Sequence, residues 1–388
     1  MQVYENSNDM KRRDLFRLAV CSGAALCCGG VARGSKPAQA RSQWLPADAN
    51  GVRLPAGFSS RIVAESSVSP LGGCDYVWHA APDGGACFAD QDGGWIYVSN
   101  SELADGDGGA GALRFDAKGR LVDAYSILQG TSQNCSGGAT PWGSWLSCEE
   151  TDKGRVWECD PLGVDAAEVR PALGVFKHEA VAVDPLNRKL YMTEDRPDGC
   201  FYRFTPFRYP DLSAGKLEAA RIVKGASGKV EWMEIGDPQA VKTETRSQTK
   251  ASRFKGGEGI VYYNGKVYFT TKGDNRVWVF DIVSQVVSVL YDDSDYLDPV
   301  LTGVDNITVS EDGSLYVAED GGNMQVVVIA NNGDIYPLLE LTGHDKSEIA
   351  GIAFSPDGNR LYFSSQRGRS GDDLDGLTFE VHGPFWLR

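Results

Sequence analysis

The sequence predicts an all-β protein, a six-bladed β-propeller. Short runs of alternating apolar and aromatic residues, such as GGWIYVSN, KVYFTTKGDNRVWVFD, GSLYVAEDGG and NRLYFSSQRG, are separated by Asp-Gly and Asn-Gly turns. That is the period-2 pattern of half-buried strands joined by tight hairpins. One two-strand unit also recurs along the chain, and repeated strand units of this kind are the signature of a propeller. A sandwich or a barrel is the alternative, and neither explains the recurrence. No convincing amphipathic helix is legible between Gly51 and the C-terminus.

The first forty residues read as an export leader, leaving 41–388 as a single propeller domain. Arg12 and Arg13 precede Leu15 and Phe16, a modest run of Ala, Gly, Cys and Leu follows, and Ala38-Gln39-Ala40 ends the segment. A basic start, a short apolar run and a small-residue cleavage site make a signal peptide. The twin arginines point to the Tat machinery, a receptor-read address rather than an anchor, and to a periplasmic or secreted protein. The apolar run is shorter than the ~20 residues a bilayer span needs. No later run reaches that length, so the chain is not expected to be membrane-embedded.

The chain carries a net charge of −15; removing the leader's six basic and three acidic groups takes it to −18. Such a surface argues against nucleic acid, whose phosphates need Lys and Arg, and suits multivalent cations. Cys74, Cys87, Cys135, Cys148, Cys159 and Cys200 remain after the leader. An even number in an exported chain reads as disulfides of undetermined pairing. With only four histidines (His79, His178, His344, His382) a His-rich zinc site is not expected.

The repeats align on their second strands. EAVAVDPLNRKLYMTED starts at Glu179, EGIVYYNGKVYFTTKGD at Glu258, DNITVSEDGSLYVAED at Asp305 and AGIAFSPDGNRLYFSSQ at Ala350. NCSGGATPWGSWLSCEE joins the register through Cys135, and a looser copy starts near Asp75 and reaches WIYVSNSE. In a propeller the innermost strands line one channel, so equivalent positions converge. Cys135, Glu179, Glu258 and Asp305 are therefore expected on one ring. Glu149/Glu150, Glu194/Asp195 and Glu319/Asp320, at the ends of the second strands, form a second acidic set near a channel mouth, although acids at β-turns are commonly just solvated. Clustered carboxylates and a thiol repel one another when ionised, and cations remove that cost. Carboxylates suit Ca²⁺ and iron, while a thiolate selects a transition metal. For Cys135 a disulfide is the competing reading. Trp142, Trp145 and Phe176 read as core residues.

NCSGGATPWGSWLSCEE, FKHEAVAVDP, GGEGIVYY, DNITVSEDG and the closing LTFEVHGPF, together with LPAGFSSRIVA near the mature N-terminus, resemble the PhoX-type alkaline phosphatase family, Tat-exported six-bladed propellers. The resemblance spans most of Leu54 to Phe385. It implies a cluster of two Fe³⁺ and several Ca²⁺ at the channel mouth. Cys135, Glu179, Glu258 and Asp305 would hold metal, with Glu150 nearby and Glu319 from the second set, and catalysis would centre on Glu258, Asp305 and Cys135. It implies a monomer that hydrolyses a small phosphorylated substrate, with the metals acting as Lewis acids and no serine nucleophile. It also implies an arginine on the substrate phosphate two residues before Glu258, where this chain has Gly256. Arg253, Lys255, Lys272 and Arg367 are the candidates to replace it.

Two other functions fit parts of the pattern. A calcium-dependent lactonase or esterase propeller would use one Ca²⁺ held by Glu258, Asp305 and Asn306, but has no need of the Cys135 thiolate. A non-catalytic binding propeller would keep metals for structure, and Gly256 favours it. The polar stretch from Asp237 to Glu258 reads either as a disordered excursion or as a basic loop over the acidic mouth.

Overall fold

The computed structural model describes residues 43–225 and 227–385; the leader lies outside them. The fold is all-β and propeller-like, with only 3₁₀ turns as helix, and no helix among the described residues is long and apolar enough to cross a membrane. Among the described residues the strands form five antiparallel sheets. One is the meander Pro82–Ala89, Trp95–Ser101, Gly108–Phe115 and Leu121–Thr131. The next runs from Asn134–Ala139 outward to Glu168–Val169. A nine-stranded sheet holds two meanders, one starting at His178–Asp184 and one at Gly257–Tyr263. They join where Gly228 and Lys229 pair with Val287 and Val286. The last two sheets start at Val304–Val309 and Ile349–Phe354. The chain closes on itself there: Ser59–Glu65, near the start, pairs with Leu377–His382, near the end.

Six strands, Pro82–Ala89, Asn134–Ala139, His178–Asp184, Gly257–Tyr263, Val304–Val309 and Ile349–Phe354, neighbour one another in a closed ring. Five break their ladder with a bulge at the same place, and the sixth breaks one residue later. The breaks fall between Pro82/Gly85, Asn134/Gly137, His178/Val181, Gly257/Ile260, Val304/Ile307 and Ala350/Ala353. A bulge leaves its residues without ladder partners and re-aims their side chains. Here it turns Asp83, Cys135, Glu179, Glu258 and Asp305 to one end of the ring. The copy expected near Asp75 instead begins at Asp83, because the strand starts at Pro82 after a longer approach. Glycine lets the ring close. A Cβ on Gly138 would collide with the Val181 carbonyl oxygen of the next strand.

Between sheets the alternating residues make apolar layers. Phe201 and Phe269 stack with ring centroids 4.6 Å apart, and Trp278 and Phe280 pack beside them. Truncating such a buried ring to Ala costs about 3–5 kcal/mol. Trp145 and Phe176 are buried core residues of two different apolar clusters, and Trp142 packs on the one that holds Phe176. The cysteines do not follow the disulfide expectation: all six described thiols are free. Cys148 and Cys159 lie on one hairpin, but Cys148 faces Val156 and Cys159 faces Trp145 across the ladder, which takes them out of bonding register.

Candidate metal centre

The acidic end of the ring is built from two sets of register-equivalent residues. The first is Asp83, Cys135, Glu179, Glu258 and Asp305, all buried. The sixth strand has Ala350 in that position, and Glu348, just ahead of the strand, fills the gap. The second set follows the residues (Ser101, Glu149, Glu194, Thr271, Glu319 and Ser365) that pair with the residue just ahead of each first-set position, and is Glu102, Glu150, Asp195, Lys272, Asp320 and Gln366.

The two sets interlock as four overlapping triads: Asp83–Glu102–Cys135, Cys135–Glu150–Glu179, Glu179–Glu258–Asp305 and Asp305–Asp320–Glu348. Within each, three potential ligand atoms lie within 4.8 Å of one another. Cys135, Glu179 and Asp305 each serve two triads, so the array is continuous. The Cys135 Sγ is 3.2 Å from Glu179 Oε1 and 3.8 Å from Asp83 Oδ2. Glu179 Oε2 is buried with no hydrogen-bond partner among the described residues. Leaving a buried carboxylate oxygen unpaired is costly, and a cation at that point removes the cost.

Electrostatics points the same way. Burial, then the neighbouring carboxylates, hold Asp83, Glu179, Glu258 and Glu348 well above the ordinary carboxyl range. Burial and Glu102 push Glu150 up to about 9. Burial raises Asp305 to about 7 even though Lys272 pulls it down. The Cys135 thiol is raised by burial and then by Asp83 and Glu179. Among the described residues three cations reach this array. The Lys272 Nζ is 2.9 Å from Glu258 Oε1 and 3.4 Å from Asp195 Oδ2. Lys177 bridges Glu150 and Asp195. Arg367 lies 3.0 Å from Glu348.

The site residues expected from sequence do not all take part. Cys135, Glu150, Glu179, Glu258 and Asp305 come together. Glu319 does not. Its Oε1 accepts from the Thr302 N–H at 2.8 Å and its Oε2 from the Gln325 N–H at 3.1 Å, while Asp320 faces the cluster. Glu149 likewise accepts from the Ser132 and Arg155 N–H groups, and Glu194 from the Cys200 N–H. Asp83, Glu102, Glu348, Lys177 and Gln366 are site residues that the sequence reading does not reach, and Asp320 takes the place expected for its neighbour Glu319. An acid followed by glycines ahead of WIYVS was the available signal for Asp83. No histidine joins the triads among the described residues; His178 is buried against Phe176, and burial pushes it down to about 3. Gln366 Nε2 donates to Asp83 and to Glu102. Asn100, buried behind the first strand, donates to the Cys135 and Ser136 carbonyl oxygens at 3.1 and 2.8 Å.

Of the basic candidates near Gly256, Arg253 turns away to Asp198 and Cys200. Lys272 reaches the cluster. The Asp237–Glu258 stretch is tethered rather than arching free: Arg246 pairs with Glu194 and Asp198, and Thr245 donates to the Val175 carbonyl at 2.7 Å.

Comparison with protein families finds the family described as alkaline phosphatase PhoX, matching residues 108–158, 152–295 and 285–368. No curated protein matches. Among solved structures, Pseudomonas fluorescens PhoX in complex with vanadate is similar over 88% of this chain and 97% of that one, with 17% identity and a TM-score of 0.72. A gluconolactonase, XC5397 from Xanthomonas campestris, is similar over 91% of this chain and 99% of that one, with 13% identity and a TM-score of 0.52. At these identities the structural likenesses speak for the fold alone.

Proposed function

The chain belongs to the alkaline phosphatase PhoX family, and on that premise we propose that it is an exported, metal-dependent hydrolase of small phosphomonoesters. The observation that carries the reading is the continuous array of four donor triads with the Glu179 Oε2 unpartnered at its middle. In this reading the closed ring of strands is the hub of six blades, the nine-stranded sheet counting as two. Residues 1–40 are a Tat leader, and the mature protein works as a periplasmic or secreted monomer.

The donor chemistry fits the metals the family implies. Cys135, shared by two triads, suits iron, because thiolate ligands select transition metals. The all-carboxylate triads Glu179–Glu258–Asp305 and Asp305–Asp320–Glu348 suit Ca²⁺, which takes several hard oxygen ligands. When bound, such cations supply Lewis-acid polarisation of the phosphoryl oxygens. The chain itself supplies the fixed negative charge that holds them, and Asn100 and the bulges fix where it points. Asp195 and Glu150 keep Lys177 at the edge of the array.

The calcium lactonase reading loses its third ligand. The Asn306 Oδ1 accepts from the Gly351 N–H at 2.8 Å and its Nδ2 lies 3.2 Å from Asp305 Oδ1, so its amide is already engaged. It also leaves both Cys135 triads unexplained. The test is hydrolysis of p-nitrophenyl phosphate at alkaline pH by protein purified after export. We expect turnover that disappears with chelator and returns with Ca²⁺ and iron. No phosphatase turnover in the metal-replete protein, with turnover of a lactone panel, assigns the lactonase class instead.

A further inference from the structure

Lys272 is the one cation among the six equivalent positions Glu102, Glu150, Asp195, Lys272, Asp320 and Gln366. Its stem lies where another side chain is missing. A Cβ on Gly256 would meet Lys272 Cγ at 3.2 Å and Asp195 Oδ1 at 3.1 Å. Its ammonium touches Glu258, whose side chain is 2% exposed, while the Lys272 side chain itself is 41% exposed. The ammonium therefore reaches the buried array from a side chain that stays partly open to solvent.

We propose that Lys272 is the residue that receives the substrate's phosphoryl oxygens, a role that rests on the hydrolase reading above. With Glu179, Glu258 and Asp305 engaged by a cation, the Lys272 ammonium would lose Glu258 as its partner, and Asp195, 3.4 Å away, would remain as its anchor. A flexible four-carbon stem then lets the point charge meet an arriving phosphoryl group beside the cluster.

The experiment is titration of the metal-replete protein with inorganic phosphate by calorimetry, with metal content measured on each sample. Lys272→Met is expected to weaken phosphate binding at least tenfold at unchanged metal content, and Lys272→Arg to weaken it less. Unchanged affinity in Lys272→Met at unchanged metal content overturns the assignment and leaves the hydrolase reading standing. Absence of phosphate binding in the wild type overturns both. Should Lys272→Met release metal, the wild-type protein decides. Saturating phosphate is expected to slow acetylation of Lys272 at least tenfold, read by mass spectrometry, and to leave the exposed Lys118 unaffected. Equal acetylation of Lys272 with and without phosphate overturns the assignment.

Discussion

The Asn100 amide nitrogen lies 3.1 Å from the Cys135 carbonyl oxygen, and the same amide oxygen accepts from Trp145 Nε1 at 2.9 Å and Ser147 Oγ at 2.8 Å. One buried side chain thus ties the bulge that aims Cys135 to the next strand of the same sheet. It accounts for how a thiol can be held in place where no ladder hydrogen bonds hold it.

Asn100→Ala removes that tie and strands several buried polar groups. Each unsatisfied group costs about 1–3 kcal/mol, and part of that cost relaxes away, so we expect a loss of about 2–4 kcal/mol in urea unfolding of the metal-free protein. Transition-metal content should fall as well, because the Cys135 sulfur is no longer fixed. Unchanged stability and unchanged metal content would remove Asn100 from the account.

Cys135→Ser tests the thiolate by itself. Serine keeps the size and loses the soft ligand, so iron should fall sharply while calcium held by the carboxylate triads is retained. Elemental analysis reads both. Parallel loss of calcium and iron would mean that the thiol supports the fold of the site rather than choosing its metal.

Gly256→Arg restores a guanidinium in sequence but not in space. Gly256 has φ +66, and a Cβ there presses on Asp195 and Lys272. A left-handed non-glycine residue costs about 1–2 kcal/mol. We expect lower stability and no gain in phosphatase activity, measured as kcat/KM on a phosphomonoester. A severalfold gain would show that the loop yields and that an arginine belongs there.

His344 gives the fold a pH dependence away from the cluster. It is buried, its Nδ1 is 2.8 Å from Ser365 Oγ, and its Nε2 is met by Arg369 Nε at 3.4 Å. Burial, and then the Arg369 charge, lower its pKa. The unfolded chain therefore binds more protons than the folded one below the ordinary histidine value of about 6.5. Stability is complete above that pH and is lost as pH falls through it toward the folded value. His344→Gln should flatten the decline between pH 7 and pH 5 relative to the wild type in thermal unfolding. Superimposable pH profiles would exclude the residue.

The sequence made the strands and four of the ring positions legible because each position leads an apolar strand and the period-2 pattern fixes the register. Asp83 was displaced to Asp75 because a longer approach precedes its strand. Glu348 was hidden because the register position there is Ala350, with the acid just ahead of it. Glu319 and Asp320 illustrate the alternation of a strand: adjacent acids point to opposite faces, and composition does not say which faces the channel. The cations were legible only as a set of candidates. Sequence named Lys272 and Arg367 beside Arg253 and Lys255, and only the fold shows that Arg253 turns away while the Lys272 stem packs beside Gly256.

The most direct test of the central claim is the metal stoichiometry of the exported wild-type protein by elemental analysis. Four linked donor triads predict more than one metal ion per chain, with calcium and at least one transition metal together. A single calcium per chain with no transition metal would contradict the account.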